Sequence, residues 1–155
     1  MRLTVKNFAR FTIASSVALG GLAMAPAAHA GAYGCAGSQI GAYSVTTSGG
    51  TSYGTAYLYY DSSTGKNCAV AVKNSTGGYG TSDYISVNLE KCTNTSPAST
   101  CTLPGTRVHD DDGGNYLYYA GPVSISSPNN CIKLDAVIWK SNTFAQYSSG
   151  AFHCS

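Results

Sequence analysis

Six cysteines constrain this chain more than any other feature. They stand at Cys35, Cys68, Cys92, Cys101, Cys131 and Cys154, all downstream of a segment that reads as an export signal. Arg2, Lys6 and Arg10 open that segment, residues 11–25 are uncharged and mostly apolar, and Pro26 precedes the small residues of Ala28-His29-Ala30. This order of a basic start, a short apolar stretch and a small-residue site is that of a secretory signal peptide, with cleavage expected before Gly31. The apolar stretch is too short for a comfortable membrane span and no second one follows, so no membrane span is expected. The reading divides the chain into a signal peptide at 1–30 and one domain at 31–155. An even cysteine count in an exported chain implies three disulfides. The successive spacings of 33, 24, 9, 30 and 23 contain no C-x-x-C pair and fit no zinc pattern. The shortest interval, CTNTSPASTC, is polar and easy to close, which pairs Cys92 with Cys101. The other four then suggest Cys35–Cys68 and Cys131–Cys154, with the remaining connections still open.

Removing residues 1–30 from the 155 leaves 125, the size of one domain. Three of nine basic residues leave with the signal, so six bases face seven acids and the net charge is about −1. The bases are scattered singly. Nucleic acid is therefore not an expected partner, because binding a phosphate backbone needs a clustered positive surface.

The 125 residues hold all twelve tyrosines, one tryptophan and only two phenylalanines, and no window spaces apolar residues as a helix would. Short β-prone runs separated by turn residues are found at 39–46, 55–60, 68–73, 83–89, 116–119 continuing to 123–126, 132–139 and 144–147. The expected fold is all-β, a small antiparallel sandwich or barrel stapled by three disulfides. Residues 55–73 read as a hairpin turning on DSSTG, with Cys68, Val70 and Val72 on the inward face and Ala69, Ala71 and Lys73 on the other. A second hairpin is expected to turn at Lys140-Ser141-Asn142.

The tetrapeptide YLYY occurs twice, at Tyr57–Tyr60 and Tyr116–Tyr119. Both copies read as half-buried strands, since the tyrosine ring packs while its hydroxyl stays wet. If Tyr57, Tyr59, Tyr116 and Tyr118 are exposed together, they form a surface for binding. Trp139, beside Lys140 at a hairpin tip, reads either as core or as an exposed binding anchor. Asp110, Asp111 and Asp112 form the one charge cluster, read as part of a Gly-Gly turn before a strand, with calcium as the cation their oxygens would suit. No other metal and no cofactor is expected. One glutamate (Glu90), one arginine (Arg107) and the nearby His109 are types that a small ribonuclease-like hydrolase would use, though no motif surrounds them.

T-G-K-N-C at residues 64–68 follows a Tyr-rich strand. Later, G-G-N-Y leads to Y-A-G-P-V at 119–123, then to Cys131 and to Cys154 near the end. These features resemble the spore-associated protein A family, small exported proteins of filamentous spore-forming bacteria, over most of the span from Cys35 to Cys154. Cys35, Cys68, Cys131 and Cys154 fit the family pattern. Cys92 and Cys101 depart from it, which supports pairing them with each other. The resemblance implies an extracellular protein found with spores or aerial growth, and it carries over no catalytic residue. The leading expectation is a secreted, non-enzymatic protein associated with spore or cell-wall components. The alternatives are a secreted enzyme inhibitor or carbohydrate-binding module using Trp139 and surface tyrosines, and a small hydrolase using Glu90, Arg107 and His109.

Overall fold

A computed structural model describes residues 31–154, and the expected signal peptide lies outside them. A short 3-10 turn at Ala32–Gly34 precedes eight strands: β1 (Ser38–Thr46), β2 (Ser52–Asp61), β3 (Lys66–Lys73), β4 (Asp83–Lys91), β5 (His109–Tyr116), β6 (Tyr119–Ser126), β7 (Ile132–Lys140) and β8 (Thr143–Ser148). They form one antiparallel sheet in the order β5-β4-β7-β8-β1-β2-β3-β6, curled into a nearly closed barrel with β5 and β6 facing each other across the seam. The all-β expectation holds.

Alternation along the strands puts one side of each into the barrel. Ala56 and Leu58 of β2, Ile85, Val87 and Leu89 of β4, and Leu134, Ala136 and Ile138 of β7 share this core. Full burial of a leucine such as Leu58 stabilises by about 2–3 kcal/mol.

In β3 the inward face is the opposite of the expected one. Ala69 and Ala71 line the core, while Cys68, Val70 and Val72 point outward. The valines are nonetheless buried, because Tyr57, Tyr59 and the Cys35–Cys68 bridge cover them in a second, smaller cluster. Both faces of β3 are thus apolar environments, and side-chain size no longer reports which one is the interior.

The three bridges are Cys35–Cys68, Cys92–Cys101 and Cys131–Cys154, as the spacing suggested. The β2–β3 turn is held by Asp61. Its Oδ1 accepts from the Ser63 amide at 2.9 Å, and its Oδ2 accepts from the Thr64 hydroxyl at 2.8 Å. Bonds from the Ser63 and Thr64 side chains and backbone hold the Asp61 carboxyl below the usual range. The β7–β8 hairpin turns at Ser141, which takes φ 54°.

The acidic run is a strand rather than a turn. His109–Tyr116 pairs along its length with β4, Leu89 opposite Asp110 and Val87 opposite Asp112, so these two aspartates lie on the core-facing side of the sheet at its edge, Asp112 half-buried and Asp110 exposed. At the seam, Asp110 Oδ2 accepts from the Ser124 amide and Asp112 Oδ2 from the Gly121 amide, each at 2.7 Å. Side-chain carboxylates therefore take the place of the backbone ladder that would join β5 to β6. Inward-pointing charge on an edge strand also discourages pairing with another chain.

Candidate functional site

The two YLYY copies have different structures. In β2, Leu58 enters the core while Tyr57 and Tyr59 point outward. Tyr59 is only 4% exposed, enclosed by the cluster over β3, so it is withdrawn from the expected binding surface. The second copy is a corner rather than a strand: Tyr116 ends β5, Leu117 and Tyr118 turn, and Tyr119 begins β6. All four side chains of the corner are exposed.

A buried lysine fixes this corner. Lys73, at the end of β3, is 3% exposed and its Nζ donates to the carbonyls of Thr81 (3.0 Å), Asp83 (2.9 Å) and Tyr116 (2.7 Å). Its backbone amide donates to Tyr118 O at 2.9 Å, and the Gly80 amide donates to Leu117 O at 2.8 Å. One side chain thus ties the end of β3, the start of β4 and the corner together. Burial pulls the Lys73 pKa below the usual lysine range, and the Asp83 carboxylate works in the opposite sense. The sequence reading placed Lys73 on the outward face. A lysine closing an alternating apolar run looks like a strand end, and only the fold shows three carbonyls converging on it.

The rings form a band in two groups that flank the corner, with Tyr57 at its half-buried end. Tyr79 packs on Tyr118 with centroids 4.8 Å apart. On the other side of the corner Tyr119 meets Tyr33 at 5.3 Å, and Tyr33 stacks on Tyr57 at 6.1 Å. Between them lies a cavity of about 540 Å³ lined by Asp112, Asn115, Tyr116, Leu117, Tyr118 and Tyr119. The Tyr116 hydroxyl donates to Asp112 Oδ1 at 2.9 Å, and that bond, with the carboxylate charge, raises the tyrosine pKa. Of the expected surface tyrosines, Tyr57, Tyr116 and Tyr118 belong to this band, while Tyr33, Tyr79 and Tyr119 were missed. Tyr33 and Tyr79 lie in a 3-10 turn and a glycine-rich loop, where strand periodicity gives no signal. Such a surface offers flat rings for stacking, with phenol, carboxylate and amide groups beside them for hydrogen bonds.

The other expected residues fall into three places. Trp139 is 38% exposed on the outside of the β7–β8 hairpin, opposite Phe144 in register, with ring centroids 5.2 Å apart. It is therefore not core, because the inward positions of β7 belong to Leu134, Ala136 and Ile138. Glu90, Arg107 and His109 do converge: Glu90 sits opposite His109 in register and pairs with Arg107. However, Glu90 is 2% exposed, and the arginine that covers it also holds its carboxylate. A substrate would meet the guanidinium and the imidazole rather than a free carboxylate.

The three aspartates do not gather around a common point. Asp110 and Asp112 serve the seam, while Asp111 points away beside His109 at 3.6 Å. Among the described residues no group of three or more His, Cys, Asp or Glu side chains is placed to hold a metal. No helix among those residues is long and apolar enough to cross a membrane.

No family model matches the chain, and no solved structure matches it. Among curated proteins, Spore-associated protein A of Streptomyces coelicolor is 34% identical over 137 residues, covering 84% of this chain and 78% of that protein.

Proposed function

The chain belongs to the spore-associated protein A family, and from that premise we propose that it is exported and acts outside the cell as a non-enzymatic surface-attachment domain. Residues 1–30 direct export, and residues 31–155 form the working domain. The aromatic band at the β5–β6 corner binds spore or cell-wall components, and polysaccharide is the chemistry it suits best. The observation that carries this reading is the pair of ring groups flanking the corner, Tyr119 and Tyr33 with half-buried Tyr57 on one side and Tyr118 with Tyr79 on the other, on a backbone held by a buried lysine. Sugar rings present apolar C–H faces to aromatic rings, and their hydroxyls need the polar groups that Asp112, Asn115 and the phenols supply. Three disulfides suit an oxidising, extracellular setting.

The test is co-sedimentation of residues 31–155 with insoluble cell-wall polysaccharide. The wild type is expected in the pellet, and a Tyr33→Ala/Tyr119→Ala double variant in the supernatant. Equal pelleting of the two proteins would remove the band from the reading. Trp139 and Phe144 favour a second reading, a hairpin anchor of the kind an enzyme inhibitor or carbohydrate-binding module presents. Loss of binding in Trp139→Ala with full binding in the band variant would select that reading.

A further inference from the structure

The tyrosines of the band are also redox-active groups, and one pair is set apart by its geometry. Tyr79 and Tyr118 are 56% and 44% exposed, their centroids lie 4.8 Å apart, and their planes are tilted by 50°. An oxidant can reach both rings, and each ring is already against the other. The backbones that carry them are pinned. Tyr79 N donates to Asn74 O at 3.0 Å, Gly80 N to Leu117 O at 2.8 Å, and Lys73 N to Tyr118 O at 2.9 Å. Gly78 and Gly80 flank Tyr79 at φ +83° and +87°, a backbone that L side chains rarely adopt and that turns the Tyr79 ring toward the corner. With all six cysteines bridged, no thiol competes for an oxidising equivalent.

We propose that Tyr79 and Tyr118 are an oxidative cross-linking site, joined within one chain by a haem peroxidase acting with hydrogen peroxide. The enzyme takes one electron and one proton from each phenol, leaving two phenoxyl radicals. These couple by a carbon–carbon bond between ring positions adjacent to the hydroxyls. The hydrogens on the two coupled carbons then move to the oxygens and restore both aromatic rings. The two electrons and two protons removed reduce one peroxide to two waters, so two phenols and one peroxide give one dityrosine and two waters. The link ties the 74–82 loop to the β5–β6 corner and locks the exposed band from one side. Coupling needs no bound ligand, so its outcome is independent of what the band adsorbs to.

Two other pairs serve as comparisons. Tyr43 and Tyr147 are also 4.8 Å apart, but they pack against the core and Tyr43 Oη lies 2.8 Å from His153 Nε2. Tyr33 and Tyr119 are exposed but farther apart, at 5.3 Å, and Tyr33 sits in the short turn near the start of the domain.

The experiment treats residues 31–155 with horseradish peroxidase and limiting hydrogen peroxide, then reduces, alkylates and digests with trypsin. The expected product is a monomer lighter by two hydrogens, with dityrosine fluorescence and one cross-linked peptide joining residues 74–91 to residues 108–133. Tyr79→Phe and Tyr118→Phe, checked for native circular dichroism, should each abolish that peptide. A cross-link from residues 31–66, which contain Tyr33, would overturn the proposal. So would exclusively intermolecular products, or coupling undiminished in either phenylalanine variant.

Discussion

Replacing Asp112 by alanine tests how the barrel is closed. At the seam, Asp112 Oδ2 accepts from the Gly121 amide at 2.7 Å. A hydrogen bond to a charged acceptor contributes about 1.5–3 kcal/mol. Asp112 is half-buried, so solvent reduces this toward the lower end, to about 1.5–2 kcal/mol. The surface hydroxyl of Tyr116, which also donates to Asp112, is left out of that figure. For a domain of this size the loss corresponds to a fall in Tm of about 5–8 °C. Asp111→Ala is the control on the same strand. Asp111 points outward, and its partner is His109 at 3.6 Å with both side chains largely in solvent. Such a pair is worth about 0–1 kcal/mol, so the control should shift Tm by no more than about 4 °C. Calorimetric scans of the oxidised domain measure both, and hydrogen exchange at the Gly121 amide should accelerate in Asp112→Ala alone. If the two variants lose equal stability, or if Asp112→Ala melts within about 1 °C of the wild type, the carboxylates do not close the seam.

Lys73→Met should cost on the order of 3 kcal/mol in chemical denaturation, because the carbonyls of Thr81, Asp83 and Tyr116 lose a common donor. The same variant should weaken pelleting on polysaccharide even where the fold persists. Among the disulfides, loop entropy gives about 3.7 kcal/mol for Cys35–Cys68, with a separation of 33, and about 2.6 kcal/mol for Cys92–Cys101, with a separation of 9. Paired Cys→Ser variants should therefore differ by about 1 kcal/mol in that order. Burial lowers the His153 pKa below its ordinary 6.5, so between the folded value and 6.5 the unfolded chain binds more protons. Stability should accordingly fall as pH drops through 6.5 and stop falling below the folded pKa, and His153→Gln should flatten that slope in melts from about pH 7.5 to about pH 5.

Much of this fold was legible because cysteine spacing and strand periodicity are local signals. The Cys92–Cys101 loop, the hairpin around Asp61 and the turn at Ser141 all follow from nearby residues. What was misread depends on the partner across the barrel. The run His109-Asp110-Asp111-Asp112-Gly113-Gly114 carries no apolar alternation, since its inward side chains reach a strand rather than a core. Val70 and Val72 look like interior residues until Tyr57 and Tyr59 are seen covering them from outside. The repeated tetrapeptide gave no warning that its second copy bends, because the bend is imposed by Lys73, more than forty residues upstream. The aromatic band was half legible for the same reason. Its strand members were visible in the pattern, whereas Tyr33 and Tyr79 arrive from a turn and a loop.

If the corner tyrosines, rather than the Trp139 hairpin or the Glu90 cluster, are the surface this domain works with, attachment should depend on them alone. Binding of labelled domain to intact bacterial spores tests this, comparing wild type, Tyr33→Ala/Tyr119→Ala and Trp139→Ala at equal concentration. The wild type and Trp139→Ala should coat the spores alike while the double variant washes off. Retention of the double variant at the wild-type level would contradict it.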